Sequence, residues 1–347
     1  MISITFCLIC QAQEINKFLP GQIWKDNKGT HINAHGGGIL FCKNTYYWFG
    51  EHKIEGKAGN VAQVGVHCYS SKDLYSWKDE GIALQVSDDP QSDIQKGCIL
   101  ERPKVIYNRK TKKFVMWFHL ELKGEGYMSA RAGIAIADKV TGPYTFIRST
   151  RATPGKYPVN IRDWETDTKK HFIRDLHGGQ MIRDQQLFVD DDDKAYHIFA
   201  SEENATLHIA ELTDDYLDYT GKYVRVFEKR YMEAPAIFKK DNLYYFMGSG
   251  CTGWTPNAAR SAVSPSIWGP WTELGNPCVG ENREKTFQSQ STYILPVKGK
   301  KNAFIYIGDR WTPSNAIDGR YIWLPIQFEE NKFKIEWMNE WNLDFFN

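Results

Sequence analysis

The sequence predicts an all-β protein, a five-bladed β-propeller forming a single domain. Three observations carry that reading: a recurring aromatic β-run, a polar turn ahead of each run, and the near absence of long amphipathic helical periods. The runs are Tyr46–Glu51, Phe114–His119, Ala195–Ala200, Leu243–Gly248 and Ala303–Gly308. Their turns are Lys43–Thr45, Asn108–Lys113, Asp190–Lys194, Lys239–Asn242 and Lys298–Asn302. Turn then strand, at roughly 50–80-residue spacing, is a weak internal repeat. No strand alternates with a helix, which argues against a βαβ fold. Radial repetition of four-stranded units protects their sheet edges. The irregular repeat length disfavours a β-helix; a β-sandwich is the other alternative.

The elements follow in order. Residues 1–12 form a short apolar run ending at Ala12, the pattern of the back half of a secretory signal peptide, although a positive n-region is missing. Residues 13–347 are assigned to the propeller. A chain of 347 residues could hold two domains at ordinary domain size, but a closed β architecture of this length is commonly one. A second element follows most runs: polar, turn-rich stretches at Ser71–Trp77, Asp138–Tyr144, Asp214–Gly221 and Ser264–Trp271, expected on the outer part of each blade. The segment 148–178 reads as an inserted loop. Cys42 and Cys68 lie in apolar strand contexts and read as small buried hydrophobes.

Composition excludes some partners. The formal net charge is +1, from 43 basic and 42 acidic residues, with no bias toward nucleic acid or an anionic membrane. No stretch is long enough for a transmembrane helix. Aromatic residues make up 14% of the chain; a β-rich core takes most of them, and some are expected against flat sugar faces. Trp254 and Trp311 stand beside Gly or Arg, outside alternating core runs, and are read equally as sugar platforms or core residues.

The first strand of each blade lies nearest the axis, so chemistry is expected at blade starts. There the chain reads Asn33–Gly38, Leu100–Val105, His177–Phe188, Met232–Ala236 and Thr286–Thr292. Each is a polar cluster flanked by apolar residues. Glu233, inside Met-Glu-Ala-Pro-Ala, is set for burial, and a carboxyl held that way has a raised pKa, as a general acid needs. Glycosidic cleavage needs such a proton donor and, with inversion, a base for water about 6.5–9.5 Å away. Glu233, Glu101 and Asp184 are the natural trio. The alternative for each is structural: a turn cap for Asp184, an ion pair with Arg102 or Lys104 for Glu101, and an ion pair for Glu233. Asp190–Asp193 lacks the spacing of a calcium loop and reads as a solvated hairpin turn.

Arg183–Asp192, with Phe188-Val-Asp-Asp-Asp after Asp184, and Glu233-Ala-Pro235 resemble the third-blade signature and the proton-donor motif of glycoside hydrolase family 43. His35-Gly-Gly-Gly, Tyr47–His52, Gly65–Ser71, Glu101–Val105, Thr252–Asn257 and Gln288–Thr292 resemble more particularly its exo-β-1,3-galactanase-like, arabinogalactan-trimming branch. The resemblance covers residues 30–325. It implies that Glu233 is the general acid and that Asp184 tunes its pKa and orients the sugar. The family's usual base, a first-blade Asp, is absent from Asn33–Gly38. The branch implies Glu101 and Gln288 opposite the acid, with Glu101 ranked first as base and Gln288 second. A neutral Gln serves only by passing a proton through its imidic form. The quoted motifs also place Glu51, His35, Asn257 and Gln290, with Trp254 and Trp311, at the sugar. An axial ion held near a blade-five His in family members is not expected beside Gln288-Ser-Gln290, and no cofactor is required.

The sequence therefore reads as an exported, exo-acting inverting glycosidase, secreted or periplasmic. The expected substrate is terminal β-1,3-linked galactose of arabinogalactan. α-L-Arabinofuranosidase, β-xylosidase or galactofuranosidase activity is the nearest alternative, and a non-catalytic carbohydrate-binding propeller is the alternative from another class.

Overall fold

The computed structural model describes residues 16–161 and 169–347; the apolar leader, 1–12, lies outside the described residues. Five antiparallel blades follow one another along the chain. Blade one holds β1 (His35–Cys42), β2 (Thr45–Lys53), β3 (Gln63–Ser71) and β4 (Lys78–Gln85). Blade two holds β5 (Ile99–Tyr107), β6 (Phe114–Glu121), β7 (Arg131–Ala137) and β8 (Thr145–Thr150). After a short helix, α1 (Lys169–Asp175), blade three holds β9 (Gln185–Val189), β10 (Ala195–Ser201), β11 (Thr206–Leu212) and β12 (Tyr219–Val226). Blade four holds β13 (Met232–Lys240), β14 (Leu243–Gly250), β15 (Arg260–Ser264) and β16 (Thr272–Gly275). Blade five gains a parallel outer strand, β17 (Cys278–Val279), beside β18 (Gln290–Pro296), β19 (Phe304–Arg310), β20 (Arg320–Glu329) and β21 (Lys332–Glu336). The innermost strands β1, β5, β9, β13 and β18 stand side by side around the axis. The five-bladed propeller read from the repeat is the fold of the chain.

Each aromatic run is the second strand of a blade, and its composition follows from position. A blade is covered on both faces, so both sets of alternating side chains are buried. In β6, Phe114, Met116, Phe118 and Leu120 pack toward blade one, while Val115 and Trp117 pack toward blade three. In β10, Tyr196 and Ile198 face blade four, and Phe199 faces blade two. Among the described residues the apolar core divides into clusters, one for each seam between neighbouring blades. The seam that closes the ring, between blades five and one, is the richest in tryptophan. Trp48, Trp77, Trp323 and Trp341 gather there around Phe18, whose backbone bridges Trp341.

The polar second elements are the turns from third to fourth strands, on the outside of the ring. In the segment 148–178, Phe172 of α1 and Leu176 just after it are buried in the seam between blades two and three. The five described cysteines are unpaired; Cys68 is buried as expected, whereas Cys42 is only half-buried. Asp190 forms an ion pair with Lys239 at 2.6 Å and accepts from Tyr244, tying the acidic hairpin turn to blade four. No helix among the described residues is long and apolar enough to cross a membrane.

Candidate active site

The inner strands deliver their polar residues by a shared device. In β1, β5, β13 and β18 the pairing to the second strand shifts register near the strand's start. Such a β-bulge re-aims side chains and is common beside active sites. The register makes His35, Glu101, Glu233 and Gln290 equivalent positions, paired with Glu51, His119, Ser249 and Asp309 of the second strands. At three bulges the next residue is left-handed: Gly36 at φ 60°, Arg102 at 52° and Ala234 at 56°. Each of these turns its N–H onto a carboxylate of the preceding blade. Gly36 donates to Asp309, Arg102 to Glu51 at 2.9 Å, and Ala234 to Asp184 at 2.9 Å. Carboxylates thus stitch the bulges together around the axis.

Above this ring opens a cavity of about 610 Å³, within the range of small-ligand sites. Glu233, Asp184, Glu101, Gln288 and Asn204 line its walls, and Trp254 and Trp311 stand at the rim. Buried Glu51, Ser289 and Asp309 close its floor.

Glu233 and Glu101 are driven apart in proton affinity. Burial and then the charge of Asp184 raise Glu233 to about 7, against the pull of Arg102. Asn204 Nδ2 donates to its Oε1 at 2.9 Å. The Cys251 thiol, pushed up to about 12 by burial and by Glu233, also reaches that carboxyl. For Glu101, burial acts upward, but the hydrogen bond and charge of His119 outweigh it and hold the group at about 2. His119 Nδ1 lies 3.0 Å from Glu101 Oε2, and Tyr127 donates its hydroxyl to Oε1 at 2.8 Å. Nε2 of His119 meets Glu121 at 2.8 Å, and Glu121 also accepts from Ala130 N. Burial lowers His119, yet its two carboxylate partners prevail and raise it to about 9. An imidazolium clamped between two carboxylates therefore faces a carboxyl that keeps its proton near neutrality.

Asp184 is spent on position. Its Oδ1 takes Arg102 Nε at 2.9 Å and its Oδ2 takes Ala234 N, which fixes the backbone beside Glu233. Arg102 continues to the Ser291 carbonyl at 3.0 Å and to Gln290 Oε1. Gln290 Nε2 donates to Ser249 at 2.8 Å, so its amide is held at both its oxygen and its nitrogen. Donor atoms of Glu101, His119 and Asp184 lie within 4.8 Å of one another, close enough for a metal. The guanidinium of Arg102 and the imidazolium of His119 already supply the cations that these carboxylates need.

The structure brings Glu233, Asp184, Glu101, Gln288, Glu51, Gln290, Asn257, Trp254 and Trp311 to one cavity. His35 is not brought there. It is fully buried with its ring centroid 4.9 Å from that of Trp311, and a Cβ on Gly319 would collide with it, so it packs beneath Trp311. Asn257 uses its amide on Gly250 and Thr252, clamping the loop that carries Trp254. Trp254 is half exposed and meets Trp311 edge-on at 5.7 Å; Lys53 sits 4.8 Å over the Trp311 ring. Gln288 is exposed to the cavity, and its side-chain amide makes no hydrogen bond to the described residues. Sequence reading missed Arg102, His119, Tyr127, Asn204 and Asp309. His119 had a signal: Trp117, His119 and Glu121 alternate on one face, where polar residues interrupt an apolar strand. Asn204 had none, because its approach to Glu233 crosses from blade three to blade four.

Comparison with known proteins agrees with this geometry. The model of glycosyl hydrolases family 43 matches residues 38–320. A solved family 43 β-1,3-galactosidase with galactodeoxynojirimycin superposes with a TM-score of 0.90 at 53% identity, over 94% of this chain and 100% of that one. An exo-β-1,3-galactanase from Clostridium thermocellum gives 0.81 at 35% identity, over 94% of this chain and 66% of that one. One from Phanerochaete chrysosporium, solved with β-1,3-galactotriose, gives 0.80 at 32% identity, over 94% and 68%. A curated β-D-galactofuranosidase of Aspergillus niger is 29% identical over 132 residues, a match that takes in 35% of this chain and only 38% of that protein. The family match spans most of the propeller and all of its inner strands except the first residues of β1, and on that ground the chain belongs to glycosyl hydrolases family 43 and is a glycoside hydrolase.

Proposed function

We propose that this protein is an exo-acting, inverting β-1,3-galactosidase that removes terminal galactose from arabinogalactan-type chains. The observation that carries the chemistry is Glu233, a carboxyl raised to about 7 in the wall of a cavity with a closed floor. Such a group holds its proton until the glycosidic oxygen needs it. A closed floor suits a chain end more than a chain interior. The galactose reading is supported by the end-to-end likeness to a β-1,3-galactosidase. The partial likeness to a galactofuranosidase supports that activity as the second reading.

Glu101 and Gln288 exchange rank as the base. Both oxygens of Glu101 are occupied, and a group held at about 2 has little affinity for a proton. Its fixed negative charge suits stabilising the positive charge that develops on the sugar ring. Gln288 has its amide free. In the imidic form its nitrogen accepts a proton from water while its O–H gives one up. The reading requires no metal. The apolar leader supports export.

The test is product release from β-1,3-galactobiose, arabinogalactan and aryl glycosides of galactose, galactofuranose, arabinofuranose and xylose, with the product anomer followed by NMR. The expected product is galactose of inverted configuration. Retained configuration refutes the mechanism, and preferential release from galactofuranosides moves the assignment to the second reading. Binding without release from any of them makes the protein a carbohydrate binder.

A further inference from the structure

Gln288 reaches the cavity on an unusual piece of backbone. Thr286, Phe287 and Gln288 are successive left-handed residues, with φ of 49°, 56° and 59°. Contact between Cβ and the following carbonyl disfavours this conformation, most of all for a β-branched residue such as Thr286. A turn of this kind persists only where its surroundings over-determine it, and such turns cluster at functional sites.

Four contacts hold it. The Phe287 ring is buried in the seam between blades four and five. Thr286 Oγ1 donates to the Asn257 carbonyl at 2.7 Å, tying the turn to the loop that carries Trp254. Ser289 Oγ donates to the Thr286 carbonyl at 2.6 Å and lies 2.9 Å from the Tyr306 hydroxyl. Arg310, at the end of β19, donates from its guanidinium to the Phe287 carbonyl at 2.8 Å. The groups acting on the Arg310 charge are burial and the like charge of Arg320, with no carboxylate among them. Half-burying a guanidinium without a counter-ion is unfavourable unless its hydrogen bonds have a use. Its hydrogen bond here is to the carbonyl of the residue immediately before Gln288.

We propose that Arg310, together with Thr286, is a positioning residue for hydrolysis: it locks the left-handed turn 286–288 and so fixes the Gln288 amide where it takes the proton of the attacking water. This rests on the reading of Gln288 as the base. In the step concerned, the water oxygen bonds to the anomeric carbon as the bond to the leaving oxygen breaks. Glu233 gives that oxygen its proton, and one water proton passes to the nitrogen of Gln288 in its imidic form, whose O–H releases a proton to solvent and leaves the ordinary amide. A misplacement on the order of 1 Å in such an arrangement slows the reaction about 100-fold.

The test compares Arg310→Met, Arg310→Lys, Thr286→Val, Gln288→Ala and the Arg310→Met/Gln288→Ala double variant on β-1,3-galactobiose and 2,4-dinitrophenyl β-galactoside. Arg310→Met and Thr286→Val are expected to lower kcat about 10–100-fold with KM within about twofold. The loss is the same on the dinitrophenyl substrate, whose leaving group needs no proton, because the defect lies on the water side. Arg310→Lys restores most of the rate, and the double variant is no slower than Gln288→Ala alone. Thermal melts identify any variant that fails to fold; if Arg310→Met does, Thr286→Val decides. A rise in KM with kcat unchanged, additive losses, or wild-type turnover in folded positioning variants beside an inactive Gln288→Ala overturns the positioning role. Wild-type turnover in Gln288→Ala overturns the base assignment itself, and the inference with it.

Discussion

Replacing Asp184 with Asn tests whether the acid is tuned by its neighbour. Glu233 stands at about 7 against an ordinary 4.5, with burial the first cause and the charge of Asp184 the second. The amide keeps the shape and can still accept from Ala234 N, so the bulge beside Glu233 is preserved. What disappears is the negative charge, and with it the ion pair to Arg102 at 2.9 Å. Both changes act in one direction. The repulsion that favoured protonated Glu233 is gone, and Arg102, relieved of its ion pair with Asp184, pulls its proton affinity down further. A like charge in one site is worth about one unit, or about 1.4 kcal/mol. A general acid works only while protonated, so kcat/KM of the wild type falls as pH rises through about 7. In Asp184→Asn that alkaline limb is expected near about 6. The measurement is kcat/KM for β-1,3-galactobiose from acid to alkaline pH, repeated with a dinitrophenyl galactoside that needs no acid. An alkaline limb that stays in place or moves upward refutes the electrostatic argument. A limb that moves equally on the activated substrate assigns the titration to some group other than the acid.

Glu233→Gln should lower turnover of galactobiose about 10²–10⁴-fold and slow the dinitrophenyl substrate far less, with product binding retained by calorimetry; equal losses on both would remove Glu233 as proton donor. Trp254→Ala should raise KM about tenfold with kcat nearly unchanged, since a half-exposed rim tryptophan offers stacking to bound sugar and nothing to the reacting bond; an unchanged KM refutes the platform. His119 stands at about 9, above its ordinary 6.5, so its contribution to stability is complete below 6.5 and is lost as pH rises through about 9. His119→Gln should abolish that alkaline slope in melting temperature against pH, and an unchanged slope refutes the imidazolium. Trp323, 1% exposed and in ring contact with Trp24, Trp48 and Trp77, should leave a cavity when cut to Ala and lower stability by about 3–5 kcal/mol in denaturant unfolding; a loss below about 1 kcal/mol would show that the closing seam collapses freely.

Much of the active site was legible because a propeller puts its chemistry at a repeating place. Glu101 and Glu233 are each a charged residue near the start of an apolar first strand, and each proves to be the same register position in its blade. His35 obeys the same rule and lines no cavity: Trp311 arrives from the loop after β19 and covers it. Asn257 and Gln290 reach the cavity with their amides already spent on the protein, a state no motif records.

Pattern along the chain carries the architecture and the apolar setting of Glu233, the proposed proton donor. Alternating apolar faces force strands that are covered on both sides, five such runs make five blades, and a carboxyl inside an apolar blade start gains a raised proton affinity first of all from burial. Only the tertiary structure decided what opposes it. Glu101 takes His119 from the neighbouring strand and Tyr127 from the loop after β6, and becomes a held carboxylate. Gln288 is turned into the cavity by a left-handed turn clamped from β19 and from the loop of blade four. Proton affinity and backbone strain at those two positions depend on groups far away in the chain, and only ring closure brings such groups within hydrogen-bond range.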